Sequence, residues 1–437
     1  MTDGAGSETN TYDLMGRITN VARSIGTATY NVGYGYNSAD QVTSITYPST
    51  RVVQQGYDAA GRLTSIASGG TTYLSVPAAN GFNASQQPLN VNYGSGVTGA
   101  FGYNDHLQMS SLAYVAGSNT LLNLAYSYTD ANGHNNGKIQ GITDSRGPAF
   151  STSYAYDALG RLSQAQTQDL ISPNTWNLQW SYDRYGNRLS QSAGTPAGTL
   201  ITGAPSLLID SATNRVSPGS GFTYDLAGNV LQDPSYSYTY NAEGELTRIN
   251  GTGPAYVYDG HRWRMQKTVS GTTTTYVYAG GKVIAEYVNG SLSNEYIYSG
   301  GRLLATIAGG AVTYHYPDHI SNRLETDAAG NVTRTFGHLP FGEVWYETGT
   351  PDKWKFTGYE RDSAESKLDY ALNRFYGSSY GRFQSPDSMP GTATDPQSLN
   401  RFSYVTNDPG NQVDSDGRCG TIIAGINMDP DTPSGKS

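Results

Sequence analysis

The chain has few charges and a single cysteine, and these shortages exclude several classes of protein. Only 14% of its 437 residues are charged, and the formal net charge is −9. We find no basic stripe, so binding to a nucleic-acid backbone is not expected. No window of about 18 apolar residues occurs, so no transmembrane helix is predicted. The lone Cys419 cannot form a disulfide within the chain, and with no histidine near it in sequence we interpret it as an incidental thiol.

Glycine and tyrosine are abundant instead. The chain has 53 Gly and 35 Tyr, and windows with the periodicity of a leucine-rich helix are few. This composition favours an all-β fold with short strands and many turns. The first eight residues lack a basic region followed by an apolar stretch, so they do not resemble a signal peptide.

One motif, Tyr-Asp-x-x-Gly-Arg, recurs along most of the chain. Its copies lie at Tyr12–Arg17, Tyr57–Leu63, Tyr156–Leu162, Tyr182–Arg188 and Tyr224–Asn229, with weaker ones at Tyr240–Glu245 and Asp327–Asn331. Asp and Gly are favoured at the two ends of a type I turn, and Gly tolerates the positive φ that a hairpin bulge needs. Each copy therefore predicts one β-hairpin, and neighbouring hairpins must pack together to be stable.

The aromatic alternation before each turn predicts a tyrosine-lined face. Pairs such as Tyr154 and Tyr156, or Tyr256 and Tyr258, lie two residues apart and so share a face of a strand. We expect these tyrosines to form a stripe on one side of the sheet. The Asp of each copy is interpreted as a turn cap, because a calcium-binding repeat needs several acidic residues in each short turn.

Two histidines offer an alternative metal site. On a helix, His315 and His319 would share a face and could bind zinc. They follow an alternating strand, however, and Pro317 lies between them. A turn with hydrogen-bonded histidines is the favoured interpretation, so neither a metal nor a cofactor is predicted.

The repeats resemble the YD repeats of bacterial RHS proteins, a family of polymorphic toxins. The C-terminal stretch resembles the RHS repeat-associated core domain, and His315–His319 with Arg323 resembles the element that precedes that core. The matching core segments are Phe356–Asp362, Leu368–Tyr376, Gly381–Asp387, Asn400–Pro409 and Val413–Gly417.

The resemblance implies an architecture in three parts. Residues 1–336 are expected to form a continuous array of hairpins that spirals into a partly open shell. Residues 337–417 are expected to be the core domain that caps it, and residues 418–437 to be a short variable tail. The tail is too short for an effector, since a folded domain needs on the order of 80 residues or more to bury its own core. Known shells are longer, so we expect a partial shell or a fragment.

The resemblance also implies a site of self-cleavage. Many family members cut themselves with two aspartates at the end of the core, and Asp387 and Asp414 match these two positions. Two carboxyl groups held close together share a proton, so that one can activate water while the other polarises the peptide carbonyl. Cleavage is expected near residue 418, where Arg418 replaces the leucine of the family pattern.

Several features depart from that pattern. Pro390 replaces a glycine, Ser415 replaces a proline, and the segment 391–396 lengthens the spacer. We expect this segment to be a surface loop that leaves the site intact; the alternative is that both aspartates are only turn residues. An arginine should support the site, and Arg382 is the nearest candidate, with Asp362 or Glu360 as its alternative structural partners.

Three functions remain open from the sequence. The first is a structural shell that sheathes and delivers a C-terminal payload in competition between bacteria, acting outside the cell or at its surface. Its partners would be the payload or the rest of a longer RHS protein, and a secretion apparatus. The second is an aspartic autoprotease that uses Asp387 and Asp414 with Arg382. The third is a surface adhesive module whose exposed tyrosines stack on carbohydrate.

Overall fold

The computed structural model describes residues 1–200, 206–362, 366–418 and 420–422, and its regular structure in these ranges is almost entirely β. Cys419 and the tail beyond Ile422 lie outside the described residues. None of the helices in the described part of the chain is long and apolar enough to span a membrane. The fold class predicted from the repeats is confirmed.

Two large meanders hold most of the strands. The first sheet consists of β1 Thr2–Asp3, β2 Gly6–Tyr12, β3 Ile18–Ile25, β4 Ala28–Tyr36, β5 Val42–Thr46, β6 Val52–Tyr57, β7 Leu63–Ser68, β8 Thr71–Ser75, β9 Asn90–Tyr93, β10 Val97–Tyr103, β11 Met109–Ala116, β12 Asn119–Ser127, β13 Gly141–Asp144, β14 Thr152–Tyr156, β15 Leu162–Thr167, β16 Trp176–Tyr182 and β17 Arg188–Gly198. Two short pairs follow, β18 Ile209–Asp210 with β19 Arg215–Val216, and β20 Thr223–Tyr224 with β21 Val230–Gln232.

The second sheet consists of β22 Tyr238–Tyr240, β23 Leu246–Ile249, β24 Ala255–Tyr258, β25 Arg264–Val269, β26 Thr272–Ala279, β27 Lys282–Val288, β28 Ser291–Ser299, β29 Arg302–Ala308, β30 Ala311–Pro317, β31 Asn322–Thr326, β32 Val332–His338 and β33 Val344–Gly349. In both sheets each strand pairs antiparallel with the next one in sequence. The second sheet therefore continues to Gly349, past the boundary expected at residue 336.

The end of the chain carries shorter elements. The remaining strands are β34 Glu360–Arg361, β35 Leu368–Tyr370, β36 Phe375–Gly377, β37 Arg382–Phe383, β38 Gln412–Val413 and β39 Thr421–Ile422, and 3-10 turns span Pro218–Ser220, Phe356–Gly358, Pro396–Leu399 and Val405–Asn407. Strands β34 to β37 form one small sheet, and β38 pairs with β39.

The repeated Asp caps the hairpin turn, as the sequence predicted. In the copy at β14–β15, the Asp157 carboxylate accepts hydrogen bonds from the amides of Leu159 and Arg161 at 2.9 and 3.0 Å. Gly160 has a φ of +75°, where a side chain would be strained. The turn is thus fixed by its own Asp and Gly and needs no metal ion.

The Tyr and Arg of the motif join consecutive repeats. The Tyr156 hydroxyl donates to the Ile139 carbonyl oxygen of the preceding repeat at 2.8 Å. The Arg161 guanidinium pairs with Asp157 and lies 4.8 Å from the ring centre of Tyr182 in the next repeat. Arg17 does the same over Tyr36, also at 4.8 Å. The motif therefore encodes both a turn and the contact that orders successive turns.

The two sheets pack face to face around one shared core. Tyr93 of the first sheet and Tyr316 of the second lie with ring centres 4.7 Å apart. The Tyr114 hydroxyl donates to the Pro317 carbonyl oxygen at 2.7 Å, and the Tyr47 hydroxyl donates to the Tyr296 carbonyl oxygen, also at 2.7 Å. Over this region the second sheet therefore packs directly against one face of the first sheet.

Tyrosines project from both faces of the second sheet, so the prediction of a one-sided stripe is wrong. Tyr296 pairs with Thr306, and Thr306 pairs with Thr313. Directly paired residues share a face, so His315 lies on the face of Tyr296, whereas Tyr314 and Tyr316 lie on the opposite one. The register of these hairpins, which the motif does not specify, decides which face each tyrosine occupies.

A segment that follows the second sheet covers its outer face. We call residues 352–362 the core strap. Its Glu360 and Asp362 lie 2.8 and 3.0 Å from the guanidinium of Arg264, which is fully buried. Trp354 of the strap packs against Tyr296. The second sheet is therefore the middle layer of three, and its strands β26 and β28 are buried on both faces near their C-terminal ends.

Candidate functional site

One arginine brings the two predicted aspartates together. Nη2 of Arg374 lies 2.9 Å from a carboxylate oxygen of Asp387 and 3.5 Å from one of Asp414. Arg374 follows the loop after β35, Asp387 follows β37, and Asp414 follows β38. Because both carboxylates contact the same nitrogen atom, the two aspartates are close neighbours despite their separation in sequence.

Arg374 is held by further contacts and is 7% exposed. Its Nη1 donates to the Arg401 carbonyl oxygen at 2.9 Å, and its Nε donates to the Gly417 carbonyl oxygen. Its guanidinium carbon lies 3.6 Å from the ring centre of Phe383. The side chain is thus fixed between the aspartate pair and the turn at Gly417.

The two carboxylates differ in their surroundings. Asp387 is 8% exposed and accepts from the Met389 amide at 2.8 Å. Asp414 is 2% exposed and accepts from the amides of Gly417 and Arg418 at 2.8 and 2.9 Å. Burial raises the pKa of Asp414 to about 6, although the charge of Arg374 opposes this shift. A carboxyl group with such a pKa keeps its proton at mildly acidic pH, where an ordinary aspartate has lost it.

A cleft gives solvent access to this site. It has a volume of about 560 Å³ and is lined by Asp387, Arg374, Gly417 and Arg418 on one side and by the turns around Asp225 and Asn241 on the other. Water can therefore reach Asp387 and the peptide that follows Gly417. Aspartic peptide hydrolysis requires two neighbouring carboxyl groups that share one proton, and Asp387 and Asp414 are the two carboxyl groups that contact Arg374.

Arg382, the arginine predicted from the sequence, lies elsewhere. Its guanidinium donates to the Asn187 side chain at 2.9 Å and to the Asn214 carbonyl oxygen at 2.5 Å. The alternative partners of Arg382 are also wrong, because Asp362 and Glu360 pair with Arg264. Arg374 takes the place next to the aspartates. It lies within the matched core segment, but proximity in sequence favoured Arg382.

The inserted segment 391–396 lies outside the site. Residues 392–396 are exposed, and Pro396–Leu399 form a short 3-10 turn. The longer spacer is accommodated at the surface while Asp387 and Asp414 still meet at Arg374. The prediction that this segment is a surface loop agrees with its exposure.

The histidines do not form the pair considered from the sequence. His315 lies in β30, where Nε2 contacts the Thr306 hydroxyl at 2.8 Å and Nδ1 lies 3.4 Å from Glu325. His319 Nε2 contacts the Gly410 carbonyl oxygen at 3.2 Å. The ligand atoms of His315, Glu325 and Asp352 lie within 4.8 Å of one another, but Arg334 already occupies the same Glu325 oxygen at 2.6 Å. An arginine there opposes a metal ion.

Comparison with known proteins identifies the fold. The profile of the teneurin YD-shell matches residues 91–410, and that of the RHS repeat matches residues 36–72. The chain belongs to the YD-shell family. This agrees with the repeats and with the resemblance to RHS proteins found in the sequence.

Individual relatives of the YD shell are much longer. The tRNA3(Ser)-specific nuclease WapA of Bacillus spizizenii and the tRNA nuclease WapA of Bacillus subtilis are each 26% identical to this chain over 258 residues. The match covers 55% of this chain and 11% of each relative. The shared part is therefore only a small fraction of those proteins.

Solved structures show the same architecture. The crystal structure of TcdB2-TccC3 superposes with a TM-score of 0.77 at 18% identity, covering 95% of this chain and 24% of that one. The Photorhabdus luminescens Tc holotoxin pore gives 0.74 at 18% identity, covering 94% and 22%. At this level of identity the likeness concerns the fold alone.

Proposed function

We propose that this YD shell is the terminal segment of an RHS-type toxin and that it holds and presents a C-terminal payload outside the producing cell. The observation that carries this proposal is the position of the last strand. Strand β39 follows the aspartate site and pairs with β38 inside the core domain. Anything attached beyond residue 422 is thus anchored to the C-terminal strands, which pack on the second sheet through Leu368, Tyr370 and Phe375 and accept a hydrogen bond from Arg188 of β17 at the Ser379 carbonyl oxygen.

In the part of the chain that the structure describes, the two sheets leave no space for a folded payload. The two sheets share a core over most of their length. The seam between β2–β4 and β25–β26 opens into a cleft of about 760 Å³, which is far smaller than a folded domain. We therefore propose that sheathing requires the rest of a longer RHS protein, and that this segment supplies its closing cap.

A protease-protection experiment tests this role. A small folded marker domain is fused after Ser437, and the same marker is placed behind an unrelated linker on a second carrier. If the shell segment shields its payload junction, protease should cut between shell and marker more slowly than between carrier and marker. Equal rates of cutting would reject the proposal.

Self-cleavage is a second function that a specific observation favours. Asp387 and Asp414 both contact Arg374 beside a solvent-accessible cleft, and this arrangement supports a role as a hydrolytic pair. Purified wild-type chain should lose its C-terminal residues with time, as measured by intact mass, and Asp387→Asn should stay whole. A wild-type chain of full mass in aged samples would reject this function.

Binding to carbohydrate through tyrosines is not proposed. The motif hydroxyls of Tyr156, Tyr258 and Tyr278 donate to backbone carbonyl oxygens of the preceding repeat. Tyr258 and Tyr278 are less than a tenth exposed. Rings that are covered and hydrogen-bonded in this way offer no face for a sugar.

A further inference from the structure

We infer that the cleft at the seam between the two sheets binds an arginine-bearing peptide of a basic partner protein. The arginine side chain of the peptide stacks on Tyr12 and donates hydrogen bonds to Glu8 and Asn10. None of the residues that line this cleft lines the one beside Asp387. Binding here is therefore independent of the aspartate pair and adds to the proposed shell role.

The cleft has the size of a ligand site rather than of a chamber for a payload. Its volume is about 760 Å³, within the range of roughly 300–1,000 Å³ that is common for ligand-binding clefts. One wall consists of β2–β4, and the other consists of β25–β26 with the turn that precedes β25. A long side chain of an extended peptide can therefore enter between the two sheets.

The arginines at this cleft already have carboxylate partners. Arg17 lies 2.9 Å from a carboxylate oxygen of Asp40. Arg23 pairs with Asp3 at 2.5 Å and is only 3% exposed. Because the first sheet and its turns neutralise both guanidinium groups, they offer little repulsion to an incoming cation.

Two carboxylates at the cleft lack such a partner. Among the described residues no lysine or arginine pairs with Glu8, and His261 Nε2 lies 3.6 Å from its Oε1. Asp259 is buried and accepts from the backbone amides of His261 and Trp263 at 3.0 and 2.8 Å. Burial raises the pKa of Asp259, as expected for a carboxylate that no close cation stabilises. The cleft therefore has an excess of negative charge.

An amide oxygen adds a further acceptor beside Glu8. Asn10 lies two residues along β2 and so shares the face of Glu8, to which its Nδ2 donates at 3.2 Å. Its Oδ1 is buried and has no hydrogen-bond partner in the part of the chain that the structure describes. A ligand for this row must therefore donate several hydrogen bonds. A guanidinium has five N–H donors and no acceptor.

Tyr12 supplies a ring on the same face of β2. Elsewhere in the repeats a cation covers the motif tyrosine, as Arg17 covers Tyr36 and Arg161 covers Tyr182, each at 4.8 Å from the ring centre. Tyr12 is 58% exposed, and over the described residues no cation lies on its ring. It therefore offers to another molecule the surface that other motif tyrosines offer to an arginine of this chain.

These features favour a peptide with arginine over a small amine. A flat guanidinium can stack on a ring while its edge donates to carboxylate and amide oxygens, which a lysine ammonium cannot do. Strand β1 pairs with β2 at Gly6 and Ser7, so a peptide can add as a strand along the outer edge of β2 beyond Glu8. The net charge of −9 also favours association with a basic partner.

Calorimetric titration of the purified full chain tests this binding. The probe is the blocked peptide Arg-Gly-Arg-Gly, and the matched control replaces both arginines with citrulline, which has a similar shape without the charge. We expect saturable binding of the arginine peptide and binding at least about tenfold weaker for the citrulline peptide. Failure of the arginine peptide to bind, or equal binding of the two, would overturn the proposal.

Two pairs of variants test the assigned residues. Glu8→Gln should weaken binding by about tenfold, because the neutral amide no longer pairs with the guanidinium. The same change at the exposed Glu243 should have no effect. Tyr12→Leu should weaken binding roughly threefold through loss of the ring, whereas Tyr12→Phe should bind like the wild type. Equal affinities in all four variants would show that the peptide binds elsewhere on the acidic surface and would overturn the site.

The same measurements separate arginine from other occupants. A lysine peptide of the same length should bind more weakly, and equal binding would overturn the assignment to a guanidinium. Saturable binding of an N-acetylglucosamine tetramer in place of the peptide would show a sugar site instead. Sedimentation should give a monomer, and a dimer that the arginine peptide dissociates would identify a second copy of this chain as the occupant and overturn a separate partner.

Discussion

The two faces of the second sheet are covered through different kinds of contact. The inner face meets the first sheet through tyrosines and aliphatic side chains such as Ile297 and Leu124. The outer face meets the core strap through buried charges, with Arg264 between Glu360 and Asp362. Burial alone would raise the pKa of Glu360, but the charges of Arg264 and Lys353 outweigh it and lower the pKa to about 2.

The two faces therefore contribute differently: the apolar inner face contributes mainly to stability, and the charged outer face mainly to the position of the core strap. An apolar interface gains free energy from area and accepts several registers, whereas buried ion pairs are favourable only when each charge finds its partner. The charged face is therefore the one that fixes the position of the core strap and of the short strands that follow it. Since Asp387, Asp414 and Arg374 lie among those strands, the pairing on the outer face also positions the candidate site.

Breaking the charged face should have the largest effect. Arg264→Met removes the fully buried cation between Glu360 and Asp362 and leaves only Lys267 and Lys353 beside them. It should cost about 3–5 kcal/mol of unfolding free energy. Arg62→Ala removes a partly exposed turn arginine and should cost at most about 1 kcal/mol. Urea denaturation of both variants measures this, and equal losses would show that the outer face is not held by charge.

An apolar truncation tests the inner face. Ile297 is fully buried between the sheets, so Ile297→Ala should cost about 2–5 kcal/mol through lost burial and a cavity. Leu292 lies in the same strand but is 46% exposed, so Leu292→Ala should cost much less. If both variants unfold at the same urea concentration, the sheets do not pack as described.

Removal of one hydroxyl tests a single hydrogen bond at the inner face. Tyr114→Phe leaves the Pro317 carbonyl oxygen without its donor and should cost about 1–2 kcal/mol. Tyr12→Phe changes a ring that is 58% exposed and should be close to neutral. Thermal unfolding of the two variants compares them directly, and a neutral Tyr114→Phe would contradict the contact between sheets.

The smallest effect at neutral pH is expected at His338. Burial lowers its pKa to about 3, and nearby cations such as Arg361 add to the shift. The folded-state pKa lies below the ordinary value of 6.5. The neutral, buried imidazole of His338 therefore contributes fully to the unfolding free energy above pH 6.5, and this contribution is lost as pH falls toward 3. His338→Phe should flatten that part of the pH–stability curve, and an unchanged slope would count against it.

The hairpins and their turns could be predicted from the sequence because each is encoded locally. Asp157 and Gly160 specify one turn without help from the rest of the chain. The faces of the tyrosines could not be predicted, because they depend on the register between β29 and β30. The stacking of the motif arginine on a tyrosine, as for Arg161, could not be predicted either, because that tyrosine lies in the next repeat.

The sequence indicated only part of the candidate site, whose function stays a prediction. Asp387 and Asp414 could be found by their match to a family pattern, but the arginine required three-dimensional proximity. Arg382 is close to Asp387 in sequence yet points toward Asn187. Arg374 is more distant in sequence, but the loop after β35 brings it between both carboxylates.

Hydrogen exchange measured by mass spectrometry tests the three-layer arrangement most directly. Peptides from β26–β29 should exchange more slowly than peptides from β3–β6, because the middle sheet is covered on both faces and the first sheet on one. Arg264→Met should speed exchange in β26–β29 and leave β3–β6 unchanged. Equal exchange in the two sheets of the wild type, or a uniform response to the variant, would contradict the account.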